Sequence, residues 1–187
     1  MKDFLQALET QRWDDHRYYH HSRINQSLHF VSACSFLCAY VMLFFSPVAA
    51  ALIGWLVAMT ARQSGHFFFE PRGYDHVNQA THEYKEAIKV GYNLRRKVLL
   101  YVFLGLASLV LLVDSSLEIG MVWLTVGVAG LLFRTVQLFF QRDVQTGLVW
   151  MTKILTDPFH DLKLYWKAPL ALLRGELIDP SLRANRI

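Results

Sequence analysis

Charge is absent from this chain where a water-facing helix would need it. Residues 34–59, CSFLCAYVMLFFSPVAAALIGWLVAM, carry no ionisable side chain of either sign apart from two thiols and a phenol. A helix with no polar face is buried in protein or in lipid, so a soluble bundle of ordinary amphipathic helices is disfavoured. Cysteine is almost missing as well, with Cys34 and Cys38 the only two. They stand one helical turn apart inside an apolar run, without the C-x-x-C spacing of a metal site, and read as small packing residues. No disulfide is expected on a reducing cytoplasmic face. The first 27 residues are rich in charge and amide groups and lack the apolar core of a signal peptide, so the N-terminus is expected to stay where it was made.

Apolar residues are instead bunched into four blocks, roughly 28–45, 48–69, 98–113 and 119–140. At about 1.5 Å of rise per residue, blocks of this length approach or reach the ~30 Å of a bilayer's hydrocarbon layer. The expected fold is all-α: an integral membrane protein of four transmembrane helices in two hairpins, forming one membrane domain over residues 1–187. Ser46-Pro47 turns the first hairpin (28–69), and Asp114-Ser115-Ser116-Leu117-Glu118 turns the second (98–140). Residues 1–27 read as an amphipathic N-terminal segment, with Phe4, Leu5, Leu8, Trp13 and Tyr19 as membrane-facing positions. Residues 71–97 read as a cytoplasmic loop, in which PRGYD turns and residues 78–97 form a helix feeding the third span. Thr156-Asp157-Pro158 reads as a break, and residues 141–187 as an interfacial C-terminal segment bent at Pro169.

Lys and Arg number four before the first span, seven from Arg62 to Lys97 and eight from Arg134 onward, which is all 19, and neither short outer turn holds one. The positive-inside rule therefore places both termini and the central loop in the cytoplasm. The basic balance reads as attraction to anionic lipid headgroups, with no role for nucleic acid. Arg134 and Gln137 interrupt the fourth block near its cytoplasmic end, where they either face the bundle or, as the simpler account of Arg134, snorkel toward phosphates.

All eight histidines fall on or near that cytoplasmic face: His16, His20, His21 and His29 before or just inside the first span, His66 at the end of the second, His76 and His82 in the central loop, and His160 after the fourth. Neutral imidazole is the commonest metal ligand, and several at one membrane depth are what a metal centre needs. Any single histidine at headgroup depth is more often a plain interfacial residue, and His76 in GYDHVNQ is read that way. His20, His29 and His66 are read together, with Glu70 near. In one unbroken helix His20 and His29 would point nearly opposite ways, so the chain must bend between them, at Ser22 or Asn25. Asn25 and His29, and His66 and Glu70, each share a helix face. The H-x3-H-H pattern of His16, His20 and His21 has a likeness to the boxes of membrane di-iron hydroxylases, but no second box follows.

The segments YHHSRINQSLHFVSACSF and GHFFFEPR resemble the two signature segments of the small integral-membrane 2-hydroxy fatty acid dioxygenases of fatty acid α-oxidation. The matching positions are His20, Asn25 and His29, then Gly65, His66, Phe69 and Glu70. The resemblance implies a non-haem Fe(II) centre that splits a 2-hydroxy acyl chain with dioxygen, giving a product one carbon shorter. On that view His20, His29 and His66 hold the iron, with His82 or His160 completing the set. Asn25 and Glu70 are the candidate catalytic residues, orienting the ligand rings or joining them, and Arg62 and Arg72 are candidates for pairing the substrate carboxylate. Two other function classes stand beside it: a different histidine-rich membrane metalloenzyme, di-iron or hydrolytic, and a non-enzymatic scaffold or lipid-binding protein. A transporter is disfavoured because no charged residue lies near mid-bilayer.

Overall fold

The computed structural model describes residues 2–90 and 94–180, for residues 94–97 the backbone alone. Among the described residues the chain is all-α, with no strands beyond the isolated bridges Ser22–Ile178 and Asp75–Ala80. Helix α1 (Lys2–Tyr19) is followed after a three-residue bend by α2 (Arg23–Met42). Ser22 starts α2 by accepting the Ile24 amide at 3.2 Å, the service that an N-cap hydroxyl gives an orphan donor. A turn at residues 43–46 reverses the chain. Ser46 then caps α3 (Pro47–Leu52), and Pro47 suits a first turn because its missing N–H would have no partner there.

The return leg does not stay α-helical. Ile53–Met59 is a π-helical stretch that runs directly into α4 (Thr60–Phe68). Within it the Thr60 hydroxyl donates to the Trp55 carbonyl five residues back, at 3.1 Å. Widened turns of this kind recur near functional sites, because they change which side chains face the same way further along.

α5 (His82–Ile88) is short and capped by Thr81. The helix expected over 78–97 is thus overturned at its start: residues 75–80 are held in a closed loop, Asp75 accepting the Val77 and Asn78 amides at 3.0 and 3.1 Å. Residues 91–93 of that expectation lie outside the described residues. α6 (Leu94–Val113) and α7 (Leu117–Gln141) form the second hairpin, and α8 (Val144–Tyr165) and α9 (Ala168–Leu173) follow.

The expected break at Thr156-Asp157-Pro158 is also overturned, since α8 passes straight through the buried Pro158. Proline removes one backbone donor, yet the turn it weakens is held from the side: Asp157 and Thr156 are both bonded by Arg12, at 3.3 and 2.7 Å. The bend near Pro169 does form, at the Trp166-Lys167 step before α9.

α2 lies at the centre, packed on α4, the π-helical stretch, α8 and α9, while α3 and α8 both pack on α7. Val48 meets Gly120 so closely that a Cβ there would stand 3.0 Å from the Val48 backbone, which brings the two hairpin turns to one end of the bundle. Near that end Trp55, Phe103 and Trp123 stack edge to face with centroids 5.4–5.8 Å apart over Ala51, Ala107 and Leu111. The outside of the bundle is oily: Phe44, Phe45, Val113, Phe133 and Phe140 are each at least 70 % exposed.

Among the described residues one helix, α7, is long and apolar enough to cross a membrane. The apolar part of α6, Val98–Val113, is shorter. α2 spends its first two turns on Arg23, Asn25, Gln26, Ser27 and His29, and the leg from Pro47 to Phe68 is divided into three pieces. In α1, Leu8 and Tyr19 of the expected membrane-facing set turn into the protein, while Leu5 and Trp13 stay exposed.

Candidate metal centre

The site is assembled at the bend between α1 and α2. His20 occupies that bend, and three groups hold it there. Asn25 Nδ2 donates to the Tyr19 carbonyl at 2.9 Å, and Gln26 Nε2 donates to the His20 carbonyl at 2.8 Å. From the C-terminal side, the Arg23 amide donates to Leu177 O and the Asp179 amide to His21 O, while Asp179 pairs with Arg23 at 3.0 Å. Ser22 and Asn25 were the residues expected to let the chain turn; the first caps α2 and the second ties the turn shut.

His29 lies one turn beyond Asn25 on α2. α4 brings His66 against both, and it can do so because residue 65 is glycine: the place of a Cβ there is filled by Asn25 Oδ1, with His29 Cδ2 at 3.3 Å. The three rings meet, with centroids 4.1 Å apart for His20–His29, 4.8 Å for His29–His66 and 5.2 Å for His20–His66. One nitrogen of each lies within 4.8 Å of the others, and the group can hold a metal ion. His20 and His29 are buried.

Each ring is gripped through its other side. His20 Nδ1 is 2.8 Å from Tyr165 Oη, His29 Nδ1 is 3.2 Å from Asp161 Oδ2, and His66 Nδ1 is 3.4 Å from Glu70 Oε1. Nε2 of His20 and of His29 is buried without a hydrogen-bond partner. These two bare nitrogens sit in adjoining buried rings, and each buried polar atom without a partner carries a desolvation penalty of about 1–3 kcal/mol. A shared cation removes that penalty.

Behind the rings stands an ion-pair network. Arg62 reaches Asp161 at 3.0 Å and Asp157 at 2.9 Å. Asp157 also takes Lys153 at 2.9 Å and Arg12 at 3.3 Å, and Lys153 takes Asp15 at 2.5 Å. Lys153, Asp157, Asp161 and Tyr165 are spaced by four and so line one stripe of α8. A small, partly open cleft runs between this stripe and α1, bordered by His20, His160, Asp161 and Tyr165.

Burial pushes His20 well below its ordinary 6.5, and the neighbouring imidazoles add to the effect, so it is neutral and a competent ligand. Burial would raise Asp161, but the His160 and His29 rings beside it and the Arg62 charge hold it well below the usual carboxylate range. Tyr165 is pushed well up, first by burial and then by the Asp161 charge, and stays a neutral phenol.

The other candidates fall elsewhere. Arg62, expected at a substrate carboxylate, is engaged by two aspartates of the protein. Arg72 is exposed and donates to the Phe67 carbonyl at 3.0 Å. Glu70 lies between His66 and Lys89, the latter at 2.5 Å. His82 is exposed at the start of α5 and is not in the group of three. His160 borders the cleft with Nδ1 3.5 Å from Asp161 Oδ1, outside the group of three. The H-x3-H-H pattern diverges: His16 Nδ1 goes to Tyr165 Oη at 3.2 Å, and His21 to the Arg17 carbonyl and to Asp75. His76 is exposed and packs on Tyr74. Arg134, expected to snorkel, is buried and bonds Gln137 at 2.6 Å and the Val90 carbonyl at 2.8 Å. Cys34 and Cys38 are free and exposed on α2.

Sequence reasoning missed Asp157, Asp161, Tyr165 and Lys153. Their four-residue spacing was the available signal, and a helix break placed at Pro158 hid it. Comparison with protein-family models, with curated proteins and with solved structures finds no match for this chain.

Proposed function

We propose that this chain is a multi-pass membrane oxygenase in which His20, His29 and His66 hold Fe(II) and the substrate is a fatty acyl chain, a 2-hydroxy fatty acid by the likeness of its two motifs. The observation that carries this reading is the convergence of three imidazoles, two of them with bare buried Nε2 atoms, at one end of an oily bundle. Three nitrogen donors leave positions open on a six-coordinate ion, which fits an activating centre better than a closed structural one. Bound Fe(II) would supply the one-electron chemistry through which dioxygen reacts with the acyl chain.

The residues of the chain perform the rest. Asp161, Tyr165 and Glu70 orient the rings from behind, and Asn25 closes the bend that carries His20. Arg62 and its aspartates fix α4 against α8. Arg72 remains exposed at the rim, where it can meet a headgroup or an acyl carboxylate.

Membrane residence is supported by the surface of α7: only 17 % of its most apolar window is buried, whereas a soluble protein's core helix would be mostly covered. On this reading α2, the leg from Pro47 to Phe68, α6 and α7 make four crossings. Both tight turns then face outward, and both termini, the metal centre and the Lys/Arg-bearing segments face the cytoplasm.

The test is anaerobic purification followed by elemental analysis of the wild type and of a His29→Ala, His66→Ala double variant. Oxygen uptake is then followed with 2-hydroxypalmitate and with palmitate. Stoichiometric iron and 2-hydroxy-dependent uptake are expected only for the wild type. Negligible iron in both proteins removes the oxygenase reading.

A further inference from the structure

We propose that the Arg62–Asp161 ion pair is a positioning device for the metal centre, fixing His29 as its Nδ1–H tautomer so that Nε2 is left bare toward His20 and His66. The inference rests on the metal-binding reading of the three rings and assigns to it Arg62 and Asp161, which neither signature segment contains.

The argument is one of donors and acceptors. Asp161 Oδ2 lies 3.0 Å from Arg62 Nη1 and 3.2 Å from His29 Nδ1. A carboxylate paired with a guanidinium is ionised and can only accept, so the proton on its contact with His29 belongs to Nδ1. A neutral imidazole has one proton. Nε2 therefore carries a lone pair, and it is this atom that is buried with no protein partner. Metal-binding histidines are commonly held in this way, by a carboxylate on the far nitrogen, which sets ring orientation and raises basicity.

Arg62 is what keeps Asp161 in place. Its fork spans Asp157 and Asp161, one turn apart on α8, so α4 and α8 are locked in a register that also fixes His66 on α4. Lysine would have to reach both carboxylates from a single nitrogen, without the two separate donors by which the planar fork fixes their spacing. Tyr165 gives His20 a matching support. Its hydroxyl stands between His20 Nδ1 at 2.8 Å and His16 Nδ1 at 3.2 Å, and with a single proton it donates to one and accepts from the other. Donation to His16 and acceptance from His20 leaves His20 Nε2 bare, matching His29.

The experiment uses the full-length protein in detergent micelles with Co(II) as the probe. Affinity is read by competition with a chromophoric chelator, and ligand-field absorption reports the donor geometry. Asp161→Asn and Arg62→Gln are expected to weaken Co(II) binding by about 10–100-fold and to shift the visible bands. Arg62→Lys is expected to recover only part of the loss. Wild-type affinity and an unshifted spectrum in both Arg62→Gln and Asp161→Asn overturn the proposal while leaving the metal reading intact. Absence of Co(II) binding by the wild type overturns both. A measurement that needs no variant accompanies them: nitrogen-15 spectra of histidine-labelled metal-free protein should show His29 as the Nδ1–H tautomer, and an Nε2–H form overturns the proposal even where a variant fails to fold.

Discussion

Asn25 and Gly65 share one volume: the amide oxygen of Asn25 occupies the space that a side chain at residue 65 would need. The two positions lie on different helices, and their fit lets α4 come close enough to α2 for His66 to touch His29. Gly65→Ala should therefore act on the centre and not only on the fold. We expect a loss of about 1–3 kcal/mol in stability, the usual range for overpacking, together with weakened metal retention. Denaturant melts and metal content, measured on the same preparation, check it. Unchanged metal content in a destabilised but folded variant would contradict the link between the close approach and the site.

Asp157 meets three cations with one carboxylate. Asp157→Ala leaves Arg62 and Lys153 buried with fewer partners, and breaking a buried pair from one side typically costs about 3–5 kcal/mol. The variant is expected to lose most of its thermal stability margin. Glu9→Ala, on the exposed face of α1, serves as the comparison and should change stability by about 0.5 kcal/mol or less.

Burial lowers His16 and His20 below their ordinary 6.5. In the unfolded chain both take up protons as the pH falls through about 6.5, while in the folded chain they resist until lower pH. The unfolded state then binds more protons, so the metal-free protein should lose stability steadily on acidification below pH 6.5. Asp161, depressed in the folded state, adds stability that is complete above the ordinary carboxylate value and is lost only as pH falls through its own lower one, so it does not mask the histidine effect. Unfolding midpoints at pH 8, 7, 6 and 5 should fall across the last two steps. A flat profile would contradict the burial of both rings.

Val128, 58 % exposed and near the middle of α7, separates a lipid surface from a watery one. At an exposed site in water, Val128→Lys should change stability by no more than about 0.5 kcal/mol. In the bilayer centre the same change costs about 2.5–3.5 kcal/mol of insertion free energy. We expect the variant to be depleted in the membrane fraction and degraded. Wild-type yield and fractionation would contradict a crossing by α7.

The parts of this protein that sequence reveals are those whose cause is local. A half-turn mismatch between His20 and His29 demands a bend, and a serine and an asparagine between them supply it. The His66–Glu70 spacing likewise requires only a helix. What was hidden depends on contacts distant in the chain. Arg62 looked free for a substrate because nothing nearby neutralises it; its partners are about 95 residues away. Pro158 looked like a boundary because local chemistry says so, and tertiary bonds from α1 override it. His82 and His160 read as candidates to complete the set because position along the chain places them near the same end of the helices but does not say which way they point.

The widened turn at Ile53–Met59 makes the second leg sensitive to winding as well as to composition. Rewinding it as ordinary α-helix with every residue kept would swing each side chain after it by about 100° around the axis, the offset of one residue. His66 would then leave its two companions while each amino acid of the motif remained in place. The stretch thus absorbs one residue between the aromatic cluster around Trp55 and the imidazole on the same leg, and a chain one residue shorter there, wound as plain α-helix, would present the same centre.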